Sequence, residues 1–261
     1  RMAMDNFDGI TYAKGASALK QLWFKVGADA YQQGVAAYFN AFAWRNATRA
    51  QFMDSIAQAS GTDLGDWTEA WLKTKGLAQM ATEITCENEK IQQLSIRQTA
   101  VNAPRLSPHR TQAALFYLNA SGKLERREVL AVDYEDALTD VPDLVGKPCP
   151  DFIDPNFGDM DYGLFFLDPH SYSTIVNQLS ALEDPFQRRM VWGTLYAMVR
   201  HEKLRASDFI ALILTNLPTE HDLGVLEYLL GGRVINETLF NFLAPEHRRD
   251  FATRLMEILM E

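Results

Sequence analysis

The sequence is poor in cysteine, long apolar runs and basic residues, and each shortage excludes a class of protein. Only Cys86 and Cys149 occur in 261 residues, too few for a small disulfide-stabilised scaffold. We expect two free, buried thiols, while a single bridge remains open. No apolar run is long enough for a membrane-spanning helix. A formal net charge of -9 argues against a nucleic-acid partner, because phosphates favour basic surfaces.

Metal-ligand spacing is also missing. The five histidines are scattered, and no pattern of zinc ligands joins them. The segment from His201 to Arg205 comes nearest to a His-Glu-x-x-His motif, but an arginine occupies the second histidine position. We interpret this segment as the charged end of a helix. The other histidines are expected at the surface or at helix ends: His109, His170, His221 and His247.

One acidic segment suggests a calcium loop. Its oxygen-bearing residues are Asp154, Asn156, Asp159 and Asp161. Gly158 falls where an EF-hand loop needs an oxygen ligand, however, and no glutamate closes the loop. We therefore predict a turn between two strands rather than a metal site.

The hydrophobic pattern predicts an α+β protein with several domains. Hydrophobic residues make up 47% of the chain, enough for sizeable cores, and the length suits two or three small domains. Residues 1–76 show a helical period, residues 77–169 shift towards a period of two, and residues 170–261 return to the helical period. These ranges are the predicted domains.

Helix signals are clear in the first range. Thr48 and Gln51 form a predicted capping box, and Gly61 is the predicted end of the same helix. A further helix is predicted to end at Gly76. The tryptophans are expected in the core rather than in a ligand platform; they are Trp23, Trp44, Trp67 and Trp71.

Strand and turn signals fill the middle range. Ala113 to Leu118 is a continuous apolar run, which predicts a strand buried on both faces. Turns are predicted at residues 87–89 and 119–122, and a loop at residues 102–110. Several short strands separated by turns predict a small β-sandwich.

The last range predicts short helices in series. Ser207 is expected to cap one of them, and Thr219 with Asp222 to cap the next. Antiparallel helices of this kind can stack as an α-solenoid.

Sequence motifs in the first range resemble the aminopeptidase N family of gluzincin zinc peptidases. They come in the family's order and approximate spacing: Tyr12-Ala13-Lys14-Gly15, Val26-Gly27, Asn46-Ala47-Thr48, residues 60–64, and Trp67 to Leu72 before Gly76. Residues 148–162, 167–168 and 182–185 resemble later parts of the family's bacterial branch. The resemblance covers most of the chain and is strongest over residues 7–76.

The resemblance implies a fold and a role for Tyr12. The chain would comprise the helical end of a thermolysin-like catalytic domain, a small β-sandwich and a solenoid-like helical domain. Tyr12 would be the catalytic tyrosine, whose neutral phenol donates a hydrogen bond to the developing oxyanion. Judged alone, Tyr12 is better interpreted as a tyrosine at a helix start that packs its ring and bonds its hydroxyl locally, and the surrounding motifs reverse that preference. Lys14 is interpreted as a solvated lysine.

The family's zinc site is not in this sequence. The resemblance implies zinc in the parent protein, which would hydrolyse N-terminal residues from peptides, and it implies an inactive fragment without the His-Glu-x-x-His motif. A non-catalytic scaffold of the same architecture is the alternative, and a free-standing binding module ranks third. The first residues contain no signal-peptide pattern, so a cytoplasmic protein is expected.

Overall fold

The structure is a computed structural model that describes residues 9–260, and it begins with four helices. They are Gly9–Val26 (α1), Ala28–Phe42 (α2), Arg49–Ser60 (α3) and Gly65–Leu72 (α4). Apolar side chains from α1, α3 and α4 share one core with Leu64: Ala18, Leu22, Met53, Ile56, Trp67, Ala70 and Trp71. This core holds the C-terminal half of α1 in place.

Local capping explains the bounds of α3. The Thr48 hydroxyl accepts from the Gln51 N–H at 3.3 Å, and the Gln51 side chain accepts from the Thr48 N–H at 2.8 Å. Gly61 ends the helix with a φ of 64°. Both predictions are confirmed. By contrast, α4 ends at Leu72, before the predicted Gly76.

Seven strands follow and form two sheets. The strands are Leu77–Glu87 (β1), Lys90–Val101 (β2), His109–Leu118 (β3), Leu124–Tyr134 (β4), Leu138–Asp140 (β5), Phe152–Asp154 (β6) and Leu164–Phe166 (β7). One sheet has the order β5-β2-β1-β7, with β7 parallel to β1, and the other has the order β4-β3-β6. The turns predicted at residues 87–89 and 119–122 connect β1 to β2 and β3 to β4. The loop predicted at 102–110 is shorter, because His109 and Arg110 already pair in β3.

Strand β3 explains why its apolar run is continuous. Ala113, Leu115 and Tyr117 face a core shared by the two sheets, so the sheets pack against each other. Ala114 and Phe116 face the core of the C-terminal helices instead. A strand covered on both faces needs apolar residues at every position, which confirms the prediction for this run.

The C-terminal helices pack around one large core against β3, β6 and β7. They are Pro169–Gln178 (α5), Pro185–Arg200 (α6), Ala206–Asn216 (α7), Leu223–Leu230 (α8), Arg233–Glu237 (α9) and Pro245–Met260 (α10), with a π-helical turn at Thr238–Phe242. No helix within residues 9–260 is long and apolar enough to cross a membrane.

Two capping predictions need correction. Ser207 lies inside α7, whose N-cap residue is Arg205. Asp222 caps α8 without Thr219, and its carboxylate accepts from the N–H groups of Gly224 and Val225 at 2.9 and 3.1 Å. A carboxylate directly before the helix reaches two donors, whereas Thr219 belongs to the preceding 3₁₀ turn.

The expectation of two free thiols is wrong. Cys86 and Cys149 form a disulfide with a Cα–Cα distance of 6.0 Å, and both residues are half-buried. The Cys149 N–H donates to the Glu89 carbonyl at 2.8 Å, which holds the segment before β6 against the β1–β2 turn. This pairing brings together two cysteines that are 63 residues apart in sequence.

Candidate functional site

Tyr12 lies on the first turn of α1, and its side chain is 68% exposed. The next residues, Ala13, Gly15 and Ala16, are also exposed, whereas Ala18 and Leu22 are buried in the helical core. The N-terminal half of α1 therefore presents Tyr12 to whatever lies beside it, and the C-terminal half fixes the helix to the protein.

Polar contacts tie α1 to the strands. The buried Gln21 amide donates to the Arg110 carbonyl in β3, and it lies 3.4 Å from a carboxylate oxygen of Asp161. One residue earlier, the Lys20 ammonium donates to the Gly158 carbonyl at 2.8 Å. These bonds hold the helix that carries Tyr12 in a defined position relative to β3.

A buried carboxylate organises this junction. Asp161 accepts hydrogen bonds from His109 Nδ1 at 2.9 Å, from the Tyr134 hydroxyl at 2.6 Å and from the Tyr162 N–H at 2.8 Å. An ionised carboxylate only accepts, so the ring proton of His109 sits on Nδ1. Burial, together with the charge of Asp161, raises the pKa of Tyr134 well above its ordinary value. Tyr134 is therefore a neutral donor.

His109 corrects the expectation of a surface histidine. It is 5% exposed, because its ring lies between Trp71 and Tyr134 at centroid distances of 4.9 and 5.2 Å. Its Nε2 makes no hydrogen bond with any residue that the structure describes. The ring lines a cavity of about 30 Å³ at the junction of α1, α4, β1 and β3.

Lys14 lines the same cavity and is half-buried, so its stem is less exposed than the interpretation as a solvated lysine suggests. It lies two positions after Tyr12, which is exposed, on α1. Helical geometry explains why Tyr12 is exposed and Lys14 is half-buried, because residues 12 and 14 point to different sides of the helix.

The acidic segment lies between β6 and β7, as predicted for a turn between two strands. Asn156 and Asp161 bond each other twice through side-chain and main-chain groups, at 3.0 and 2.8 Å. Asp154 is buried, and its carboxylate accepts from the Gln187 amide and the Asn156 N–H. Burial raises the pKa of Asp154 to about 6. Protein donors thus take up the oxygens that suggested calcium.

The tryptophans divide into two groups. Trp67 and Trp71 are buried and stacked at 5.6 Å, as expected for core residues, and Trp23 is half-buried. Trp44 is fully exposed, so its assignment to the core is wrong. It follows α2 with a φ of 60°, a turn that directs its side chain away from the helical core.

The other histidines that the structure describes form no candidate metal site. His201 lies at the C-terminal end of α6, as predicted for the charged end of a helix. Within residues 9–260, no three His, Cys, Asp or Glu side chains lie close enough together to hold a metal ion. The residues that this structure describes therefore do not fit a zinc site.

Sequence reasoning missed the junction around Asp161. Its members Gln21, His109, Tyr134 and Asp161 are up to 140 residues apart, and no local spacing joins them. Only the tertiary pairing of β3 with β4 and the packing of α1 on β3 bring them together.

Comparison with known proteins finds that the chain is similar to aminopeptidases. Residues 2–71 match the Peptidase family M1 domain. The chain is 35% identical to aminopeptidase N of Streptomyces lividans over 260 residues, which covers 97% of this chain and 30% of that protein. Aminopeptidase M1 of Arabidopsis thaliana is 25% identical over 148 residues, covering 57% of this chain and 16% of that protein. These similarities confirm the resemblance to the M1 aminopeptidases, and the chain spans about a third or less of the length of these relatives.

A solved structure agrees in fold. Aminopeptidase A of Legionella pneumophila in complex with aspartic acid aligns with a TM-score of 0.58 and 17% identity, covering 95% of this chain and 29% of that chain. At this identity the likeness concerns the fold alone. It confirms the mixed α+β class.

Proposed function

We propose that this chain is part of a zinc-dependent aminopeptidase that removes N-terminal residues from peptides, and that Tyr12 is its oxyanion-stabilising tyrosine. The observation that carries the proposal is the match of residues 2–71 to the peptidase domain, because that range includes Tyr12 and the helices that anchor it. The similarity to aminopeptidase N over 97% of the chain supports the same activity.

The chemistry assigned to Tyr12 is hydrogen-bond donation. When water attacks a peptide carbonyl, its oxygen becomes negatively charged in the tetrahedral transition state. A phenol hydroxyl within hydrogen-bond distance of that oxygen stabilises the charge. An exposed phenol on a helix fixed by Ala18, Gln21 and Leu22 can serve a reacting centre beside the first turn of α1.

Zinc binding is proposed for the whole enzyme and not for this chain alone. Its ligands would be residues that this chain does not contain, since neither the sequence nor residues 9–260 offer a suitable set. The chain alone is therefore proposed to be inactive. Robust hydrolysis of an aminoacyl chromogenic substrate by the purified chain with added zinc would refute that part.

The test of Tyr12 uses the complete polypeptide that the gene encodes. If it contains a His-Glu-x-x-His segment, Tyr12→Phe should lower kcat roughly 10²–10³-fold, because one oxyanion donor is lost. Tyr38→Phe, on the half-buried face of α2, is the matched control and should leave kcat unchanged. Unchanged turnover in Tyr12→Phe would show that Tyr12 is not the donor.

A non-catalytic scaffold is the second candidate. The observation that favours it is the lack of a metal-binding cluster within residues 9–260. A gene that encodes no His-Glu-x-x-His segment would support the scaffold, and Tyr12 would then serve packing or partner binding only. We keep the proposal of a cytoplasmic protein. The half-buried disulfide argues against it, since disulfides are rare in reducing compartments.

A further inference from the structure

We propose that the cavity between α1, α4, β1 and β3 is a binding site for a carboxylate group. The proposal does not depend on the catalytic role of Tyr12, because it rests on residues of this cavity alone. Three features carry it, namely the charge of the lining, an imidazole nitrogen without a protein partner, and the size of the space.

The charge of the lining favours an anion. Lys14 and Lys75 both line the cavity, and its lining includes no aspartate or glutamate among the residues that the structure describes. The nearby Glu69 forms an ion pair with Lys73 at 2.7 Å, so its charge is already matched by a cation outside the lining. The two lysines outnumber the buried Asp161 carboxylate behind His109, which leaves an excess of positive charge that attracts an anion.

His109 supplies the directional contact. Its Nδ1–H is held by Asp161, and it is 95% buried, yet Nε2 has no hydrogen-bond partner within the described residues. Nδ1 faces Asp161 and His109 is among the residues that line the cavity, so Nε2 is the ring nitrogen left for a ligand. With a second proton on Nε2, the ring can donate one hydrogen bond to Asp161 and one to a bound carboxylate. The neighbouring Tyr134 stays neutral and adds no charge.

The size and walls of the cavity fit a small group. A volume of about 30 Å³ holds about two water-sized groups, which is the size of the two oxygens of a carboxylate. One wall is the ring of Trp71, whose Nε1–H is already taken by the Pro108 carbonyl at 2.8 Å. At Gly76, which has a φ of 100°, an added Cβ would lie 2.6 Å from Ala103. The wall is therefore close-packed at this point, and the buried part of a ligand is limited to a small group.

Formate is the probe, and the readout is the imidazole Cε1–H resonance of His109 in the ¹³C-histidine-labelled chain. The His109→Gln variant identifies the resonance by its disappearance. At constant ionic strength, formate should shift this resonance along a saturable curve, and the neutral isostere formamide should not. The other four histidines do not line the cavity and serve as internal controls.

The lysines provide the matched variants. Lys14→Met with Lys75→Met should weaken formate binding at least about tenfold, because both charge-assisted contacts are lost. Lys90→Met with Lys123→Met removes two charges from exposed positions outside the lining, and it should leave binding unchanged. Both sets concern half-buried or exposed side chains, so the variants should stay folded.

Two further ligands separate the possible sources of the carboxylate. A dipeptide with a free C-terminus is compared with its C-terminal amide. Shifts by formate and by the free dipeptide, but not by the amide, identify a peptide C-terminus, and a shift by formate alone identifies a free monocarboxylate; both support the site. A non-saturable shift, or the same affinity in the lysine double variant, would overturn it.

Discussion

Replacing Asp154 with asparagine should stabilise the protein near neutral pH. Asp154 ends β6 and is only 8% exposed. Its neighbours are the Gln187 amide and the Asn156 N–H, neither of which is a cation. Burial without a positive partner disfavours the ionised form, which raises the pKa of Asp154 from 3.8 to about 6.

The magnitude follows from the difference between folded and unfolded states. A pKa that is about 2 units higher in the folded protein costs about 3 kcal/mol of unfolding free energy at pH 7.5, at about 1.4 kcal/mol per unit. The sign follows from the raised pKa: the folded state binds the proton more tightly, so stability is greatest below pH ~4. It is lost as pH rises through ~6. At pH 4.5 the raised pKa of Asp154 lowers the free energy of unfolding by only about 1 kcal/mol.

Asparagine removes this cost because it cannot ionise. Its Oδ1 can keep the bond from the Asn156 N–H at 3.0 Å. Its Nδ2 would face Gln187, whose Oε1 is buried without a hydrogen bond in the part of the chain that the structure describes. Rotation of the Gln187 amide would bring that oxygen to the new donor, which keeps a hydrogen bond between the two side chains while Gln187 Nε2 loses its acceptor.

The assay is urea unfolding of both proteins between pH 4.5 and 7.5. Asp154→Asn should be more stable than the parent by up to about 3 kcal/mol at pH 7.5 and by about 1 kcal/mol at pH 4.5. Asp143→Asn, at an exposed position, is the control and should follow the parent. The reasoning fails if Asp154→Asn is less stable at pH 7.5, or if the gap does not grow with pH.

Three other changes test the remaining features. Cys86→Ser with Cys149→Ser should lower the unfolding free energy by about 2–4 kcal/mol, because the bond closes a 63-residue loop; a reductant should destabilise the parent equally and leave the variant unchanged. Asp161→Ala should cost roughly 3–5 kcal/mol in urea unfolding, since it leaves buried donors without an acceptor, whereas the exposed Asp159→Ala should cost under about 1 kcal/mol. Trp44→Asn should raise the Tm slightly, by relieving about 1 kcal/mol of left-handed backbone strain at a fully exposed side chain; a fall of several degrees would contradict this.

Features that depend on neighbouring residues could be predicted from the sequence. The capping box of α3 needs only Thr48 and Gln51, and the double burial of β3 needs only a continuous apolar run. The predicted caps at Ser207 and Thr219 were wrong, because Ser207 already lies inside α7 and Thr219 belongs to a 3₁₀ turn that the pattern does not reveal. Local sequence determines which helices and strands form, and tertiary packing determines the residues at which they begin and end.

Long-range pairings could not be predicted. The burial of His109 depends on Trp71, Tyr134 and Asp161, which three separate segments supply. The disulfide likewise depends on a strand and a distant loop meeting at the β1–β2 turn. A histidine or cysteine without a local motif carries no sequence signal of its partner, so the statistical expectation of an exposed histidine or a free thiol was wrong at both sites.

The Asp161 junction also bears on how a helix can hold Tyr12. Tyr12 and Gln21 are nine residues apart on α1, which corresponds to about 13 Å along the axis. Leu22 in the helical core prevents the helix from lifting, but apolar contacts are non-directional and do not by themselves prevent sliding or rotation. Gln21, bonded to β3 and near Asp161, supplies the directional contact. Loss of Gln21 should therefore change the position of Tyr12 while the free energy of unfolding falls only a little. That is the behaviour expected of a residue that orients the helix.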